Sequence, residues 1–388
     1  MKQVLARLLI YFFNLFPMQN NKIFLFSYYG SNYGCNPKYI SNYISAHDAK
    51  GKFDVVWAFN HPDDKTGLKH VRKVKTMSLA YFYELCTSKV VITNYRTTDL
   101  FVKRKNQYYI QTWHSSLRLK QIEKDAEDVL PPGYIRMAKK DSRKCDLLLS
   151  GCAYSTAIFR RAFWCDGEIF EHGTPRNDVL FQNNRMLRNN IREKLNIDQT
   201  ANVLLYAPTF RNNNDLDIYQ LDWTRITDTL RSKFGNDWVI LVKLHPHLLH
   251  KSDQLAYGSN MMDVTAYDDI QELLLISDVL ITDYSSLMFD FSITKRPCFL
   301  YIPDVKTYTG QDRKLYFDLD ELPFISAMSE EMLREEIMAF DQNKYERKMT
   351  RFHKMTGSFE QGKASKHLLE HIEQVCFGKQ RRETDEAI

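Results

Sequence analysis

Residues 276–304, ISDVLITDYSSLMFDFSITKRPCFLYIPD, constrain the fold more than any other stretch. Val279-Leu280-Ile281 is a short apolar, β-branched run of the kind buried in a sheet. Thr282-Asp283-Tyr284-Ser285-Ser286 is polar and supplies capping side chains, which predicts a helix start. That helix covers 287–293 and stops at Arg296-Pro297, and a second apolar strand follows over 298–302. A strand, a helix and a strand in this order form a crossover unit of a parallel sheet. The helix start offers backbone N–H groups, the positive end of a dipole and the hydroxyls of Ser285 and Ser286. That combination suits a phosphate, although ordinary capping accounts for the same residues.

The same pattern recurs on both sides of a polar, asparagine-rich segment, 182–200, which holds one helix and is expected to be a linker. Before it, strands are expected at 23–26, 53–59, 71–74, 90–93, 108–113, 147–150 and 168–170, interleaved with helices at 38–46, 78–88, 138–144 and 155–163. After it, strands at 203–206 and 238–244 and helices at 223–234 and 270–276 lead into the 276–304 unit. Alternating β and α predict an α/β protein with open parallel sheets. The expected divisions are a helix within 1–20, a domain over 21–181, the linker 182–200, a second domain over 201–360, a closing helix at 361–378 and a charged, disordered tail at 379–388. The charged run 120–128 is expected to be a solvated helix or loop.

In such sheets ligands bind past the carboxyl ends of the strands, so the residues there are the site candidates. The 27–34 loop carries glycines but lacks the G-x-G-x-x-G pattern, so no dinucleotide site is expected. His114, in His114-Ser115-Ser116, stands where a histidine can take a proton near neutral pH; a structural loop histidine would look the same. Arg176, in His172-Gly173-Thr174-Pro175-Arg176-Asn177-Asp178, suits either a fork to a phosphate or a salt bridge. Thr209 and Arg211 follow the 203–206 strand and precede an asparagine loop, 212–214. His245 opens His245-Pro246-His247 after the 238–244 strand.

Composition sets the outer limits. A net charge of +5 over 388 residues suits a phosphate-bearing substrate or an anionic membrane surface and is too small to argue for nucleic acid. Seven scattered cysteines without a C-x-x-C pair point to reduced thiols in the cytoplasm. No Asp, Glu or His cluster has ligand spacing, so no metal or cofactor is expected to be tightly held; Mg²⁺ on a diphosphate stays open and is not required. Residues 4–16, VLARLLIYFFNLF, make about 20 Å of helix, short of a hydrocarbon core of about 30 Å. No small-residue cleavage site follows, so a signal peptide is not expected. Two readings stay open, a helix lying in a membrane interface and a helix packed on the protein body; Lys2, Arg7 and Lys22 lean toward an anionic surface.

Seven segments, in order, resemble the CDP-glycerol glycerophosphotransferase family of teichoic acid synthesis: FSYYGSNYGCNPKYI, QTWHSSLRLK, HGTPRND, LLYAPTFR, VKLHPH, SDVLITDYSSLMFDFSITKRPCFLYIPD and EQGKASKHLLEHI. The resemblance implies a GT-B-like fold of two Rossmann-like domains. It implies transfer of a polyol phosphate from CDP-glycerol or CDP-ribitol to a lipid-linked saccharide or polymer at the inner membrane surface, with release of CMP. It also implies a peripheral enzyme on the cytoplasmic face of the membrane. His114 and His245 are then the catalytic pair, in roles the resemblance does not assign. Ser285, Ser286, Thr209, Arg211 and Arg176 would hold donor phosphates, and Asp290 the ribose hydroxyls or a structural salt bridge. Ser115 and Ser116 stand where the family usually has glycine and often threonine, and Gln361-Gly362 where it often has Asp-Gly. The length fits a primase-like enzyme adding the first unit and excludes neither a polymerase nor a capsule-modifying transferase. A nucleotide-sugar glycosyltransferase and a non-catalytic relative remain as alternatives.

Overall fold

The computed structural model describes residues 2–182, 184–211, 220–245, 258–311 and 314–385; the 212–214 loop and His247 lie outside them. The chain forms two compact units that are not contiguous in sequence. The first comprises Met1–Ser116, Ile122–Asp178 and Phe359–Ile388, the second Leu117–Gln121 and Val179–Ser358.

The first unit begins with helix α1 (Lys2–Phe13). It continues through β1 (Gln19–Phe26), α2 (Cys35–His47), β2 (Asp54–Phe59), β3 (Arg72–Lys75), α3 (Leu79–Thr87), β4 (Ser88–Thr93), β5 (Tyr108–Gln111), α4 (Pro132–Ser142), β6 (Leu147–Leu149), α5 (Ala153–Ala162) and β7 (Glu168–Phe170). The strands form one sheet in the order β3-β2-β1-β4-β5-β6-β7, all pairs parallel. Leu25 is level with Trp57 on one side and Ile92 on the other. The central strands are covered on both faces, which is why they read as unbroken apolar runs.

The second unit contains α6 (Arg185–Lys194), β8 (Asn202–Ala207), α7 (Trp223–Phe234), β9 (Trp238–Val242), β10 (Met261–Asp263), α8 (Ile270–Ile276), β11 (Val279–Thr282), α9 (Leu287–Phe291), β12 (Cys298–Tyr301), α10 (Val305–Gln311), β13 (Ile325–Ala327), α11 (Glu330–Ala339) and α12 (Gln342–Thr356). Its parallel sheet runs β10-β9-β8-β11-β12-β13. The edge strands β10 and β13 went unread in the sequence. Residues 182–200 belong to this unit: Ile191 and Ile197 are buried, and Arg192 donates to the Asp198 and Ala201 carbonyls.

The last helix, α13 (Ala364–Asp385), returns to the first unit, where Leu368 and Ile372 join Ile23, Trp57 and Ile110 in the core. Asp178 caps its start, accepting from the N–H groups of Ala364 at 2.9 Å and Ser365 at 2.7 Å. The helix runs past residue 378, where the sequence reading put the start of a tail.

Two charge readings change, and the first helix finds its place. Lys22 is fully buried, pairs with Glu84 at 2.6 Å and donates to Thr87, so it offers nothing to an anionic surface. In the 120–128 run Ile122, Glu123 and Ala126 are buried; Glu123 pairs with the buried Arg96 at 3.0 Å and accepts from the Tyr134 hydroxyl, so the run is anchored at these residues while Lys124 and Asp128 stay exposed. In α1, Ala6 and Ile10 pack against Phe82 and Cys86 of α3, while Val4, Leu5, Leu8, Tyr11 and Phe12 stay exposed. One face is thus fastened to the body and the other is apolar and open. Among the described residues no helix is long and apolar enough to cross a membrane.

Candidate active site

Each sheet reverses its strand order once, between β1 and β4 in the first unit and between β8 and β11 in the second. Loops leaving the carboxyl ends at such a reversal diverge and open a crevice, the usual ligand edge of an open α/β sheet.

In the second unit four adjacent loops meet there. His245 follows β9 and is exposed, its ring 5.7 Å from that of Phe210. Thr209, Phe210 and Arg211 follow β8, Asp283 to Ser286 follow β11, and Asp304 follows β12. Ser285 and Ser286 are half-buried. The Ser285 hydroxyl accepts from the Leu287 N–H and the Ser286 hydroxyl from the Leu119 N–H, both at 3.3 Å. Each hydroxyl keeps its own proton to give to an anion. Among the described residues the backbone N–H groups of Ser285 and Ser286 make no hydrogen bond. Because α9 has only five residues, its dipole is little more than one turn's; these donors, more than the dipole, are what a phosphate would meet.

Arg211 stands in the expected loop, with its guanidinium turned to protein groups. It is buried and all five of its N–H groups are engaged: Nε and Nη2 with Asp304 (2.7 and 3.3 Å), Nη2 with Asp283 (2.9 Å), and Nη1 with the carbonyl and hydroxyl of Thr209 (2.8 and 2.6 Å). Its guanidinium lies over the stacked rings of Tyr284 and Tyr308, whose centroids are 3.8 Å apart. Burial pushes the Asp283 carboxyl above its ordinary range, and Arg211 pulls it back. Burial works against the Arg211 charge, yet its hydrogen bond to Asp304 and the charge of Asp283 hold its pKa above the usual value. Arg211 is therefore a clamp between two acids and carries no spare charge for a phosphate. Asp290 is fully buried, so it presents nothing to a ribose in this state. A shallow concavity is lined by Tyr206, Pro208, Arg211, Thr282, Asp283, Tyr301 and Pro303.

The segment Leu117–Gln121, which directly follows the His114 loop, packs in the second unit. Lys120 bridges antiparallel to Leu315, the Gln121 N–H donates to the Lys314 carbonyl and the Tyr316 N–H to that of Leu119. This strap carries Lys120 to the Ser286 loop, with its Nζ 4.8 Å from the centre of the Tyr308 ring. Sequence reasoning noted the lysine without its placement, since the pairing partner is almost two hundred residues away in the chain.

In the first unit His114 follows β5 and is half-buried, stacked on Trp113 (4.9 Å, 24°) and on Tyr95 (5.9 Å, 21°). Asn36 holds its loop: the amide nitrogen donates to the carbonyls of Thr112 and Trp113, and the amide oxygen accepts from the Arg176 N–H at 2.9 Å. Glu360 holds Arg176's loop in turn, accepting from the Thr174 hydroxyl at 2.6 Å and the Asn177 amide at 3.2 Å. Arg176 is buried, with Nη1 3.5 Å from the Cys35 sulfur. Ser115 and Ser116 are buried too, and a Cβ on Gly151 would come within 2.5 Å of Ser116, so glycine is required at 151. Asn36 and Glu360 went unnoticed in the sequence; Asn36-Pro37 at the end of the glycine-bearing loop was the available signal.

The structure thus gathers His245, Thr209, Ser285 and Ser286 at one sheet reversal and His114, supported by Arg176, at the other, each within its own unit. Two parallel α/β units with such edges make a GT-B-like fold of two Rossmann-like domains. A family model described as CDP-glycerol:poly(glycerophosphate) glycerophosphotransferase matches residues 9–374, and the chain belongs to that family. It is 36% identical to a teichoic acid poly(glycerol phosphate) polymerase of Staphylococcus epidermidis over 88% of this chain and 49% of the relative, so it spans about half that protein's length. It is 34% identical to a teichoic acid glycerol-phosphate transferase of Staphylococcus aureus, over 91% of this chain and 92% of the relative. Relatives at lower identity are named for ribitol phosphate. A solved structure of the wall teichoic acid polymerase TagF superposes with a TM-score of 0.84 at 32% identity, covering 96% of this chain and 95% of that one.

Proposed function

We propose that this chain transfers glycerol phosphate, or a related polyol phosphate, from its CDP-activated donor to a hydroxyl of a lipid-linked saccharide or polymer, releasing CMP. The observation that carries the reading is the second unit's reversal edge, where the Ser285 and Ser286 hydroxyls and N–H groups follow β11, one strand from Thr209 after β8 and two from His245 after β9. Those donors meet the diphosphate, and Lys120 on the strap adds positive charge that Arg211 cannot supply. An acceptor hydroxyl oxygen attacks the phosphorus that bears the polyol, and the bond from that phosphorus to the bridging oxygen breaks. CMP leaves with the electron pair. His114 takes the acceptor's proton and His245 gives a proton or hydrogen bond to the departing phosphate; the reverse division is the alternative. Asp290 would need to be uncovered to meet the ribose.

The exposed apolar face of α1 supports peripheral attachment to the cytoplasmic face of the membrane, where a lipid-linked acceptor is found. Its residues Leu8 and Tyr11, about 60% exposed, would lie in the interface.

Incubation with CDP-glycerol and, separately, CDP-ribitol, with a lipid-linked disaccharide analogue as acceptor, tests the reading through CMP release. Acceptor-dependent CMP that falls at least ~100-fold in both His114→Ala and His245→Ala is expected, the usual scale of a lost acid or base. No CMP from either donor, or release of UDP or GDP from a sugar donor instead, would overturn it.

A further inference from the structure

The loops after β1, β4 and β5 hold an aromatic group that the transfer chemistry does not use. Tyr29 is 47% exposed, and its ring meets that of Tyr95 at 4.8 Å and 65°. Tyr28 also packs on Tyr95, at 5.4 Å, and Tyr95 stacks on His114. The three strands are neighbours at the sheet's reversal, so these rings stand at the ligand edge of the first unit.

The backbone makes the arrangement unusual. Tyr28, Tyr29 and Gly30 lie one after another in the left-handed region, with φ of 47°, 54° and 87°. That region is costly for a bulky side chain, by roughly 1–2 kcal/mol per residue. The turn is nevertheless locked. The Tyr28 N–H donates to the Asn94 side chain, the Gly30 N–H to the Ser27 carbonyl and the Asn60 N–H to the Gly30 carbonyl. A Cβ on Gly30 would come within 2.6 Å of the Thr76 methyl, so the glycine is required there. Strain retained to bury a ring would be a packing device. Here it presents a large aromatic ring to solvent against Tyr95, which itself stacks on His114, and strain kept for an open side chain points to a ligand.

We propose that the exposed Tyr29 ring, braced edge-to-face by Tyr95, is a shelf on which a sugar ring of the acceptor stacks, setting its hydroxyl toward His114. The inference rests on the reading of His114 as part of a transfer site. The negative face of an aromatic ring favours the weakly positive C–H face of a pyranose. An open-chain polyol phosphate is anionic and has no flat face, so the shelf selects a saccharide-ended acceptor over a bare polyol phosphate chain. A nucleobase also stacks on aromatic rings, so CMP binding is measured beside the saccharide.

The test uses Tyr29→Asn, since asparagine tolerates the left-handed backbone while losing the ring, and Tyr29→Phe, which keeps the ring. Calorimetric titration measures binding of a soluble disaccharide methyl glycoside, a glycerol phosphate oligomer and CMP to each full-length protein. Tyr29→Asn is expected to weaken disaccharide binding about tenfold, about 1.4 kcal/mol, with Tyr29→Phe at the wild-type value. The KM for a saccharide-ended acceptor rises by the same factor and kcat stays within twofold. Unchanged disaccharide affinity in Tyr29→Asn, or an equal loss for the oligomer or CMP, overturns the shelf. Failure of the wild type to release CMP from any donor would instead strike the reading beneath it.

Discussion

Replacing Arg211 by alanine tests whether this residue is a clamp or a phosphate ligand. The change leaves Asp283, 3% exposed, in a buried site with its counter-charge gone, and removes one partner of Asp304. Breaking a buried pair in this way costs about 3–5 kcal/mol. An independent bound comes from protonation. Neutralising at pH 7 a carboxyl whose ordinary pKa is 3.8 costs about 4 kcal/mol, since each unit is about 1.4 kcal/mol, so Asp283 caps the charge penalty by taking a proton. At about 2–4 °C per kcal/mol for a domain of this size, the melting temperature should fall by about 6–20 °C. In the variant the folded pKa of Asp283 lies above its unfolded value, and the folded state holds an extra proton between the two. Stability then drops as pH rises through that window, so the deficit is smaller at pH 5 than at pH 8. Calorimetric melts at both pH values read this directly, and Arg211→Met with Asp283→Asn should recover part of the loss. A melting temperature within 2 °C of wild type, as an approximate margin, combined with weaker donor binding would refute the clamp.

Three further outcomes follow from the same geometry. Ser286→Ala should weaken CDP-glycerol binding about tenfold or more, as a hydrogen bond to a charged group is worth about 1.5–3 kcal/mol, and equilibrium titration would show it. Burial lowers Lys243, whose Nζ donates to the Thr265 and Tyr267 carbonyls, to about 8. The folded state then holds fewer protons than the unfolded chain between about pH 8 and 10.5; stability contributed by this group rises with pH there, and Lys243→Met should remove that slope from denaturant titrations. Asp178→Ala removes the cap of α13 and should cost about 1–2 kcal/mol, read as a lower urea midpoint with unchanged m.

Much of the architecture was legible because parallel strands are buried on both faces. Runs such as Ile23–Phe26 and Val279–Ile281 are continuous, and the loops that end them are polar, so strand, loop and site edge can be read along the chain. His114, His245, Ser285 and Ser286 were found in this way, from position relative to a strand end. Arg176, Arg211 and Asp290 were found by the same logic, and the structure buries all three.

The amino-acid order by itself therefore determined which segments become strands, which loops leave their carboxyl ends and which side chains stand in those loops. Hydrophobic periodicity and turn chemistry act over a few residues and need no knowledge of neighbours. Only the tertiary structure decided what each charge faces. Arg211 and Asp304 are 93 residues apart, Thr174 and Glu360 186, and Lys22 and Thr87 65. A buried charge must be paired or neutralised, and the partner that does so is chosen by proximity in space, which no local pattern records.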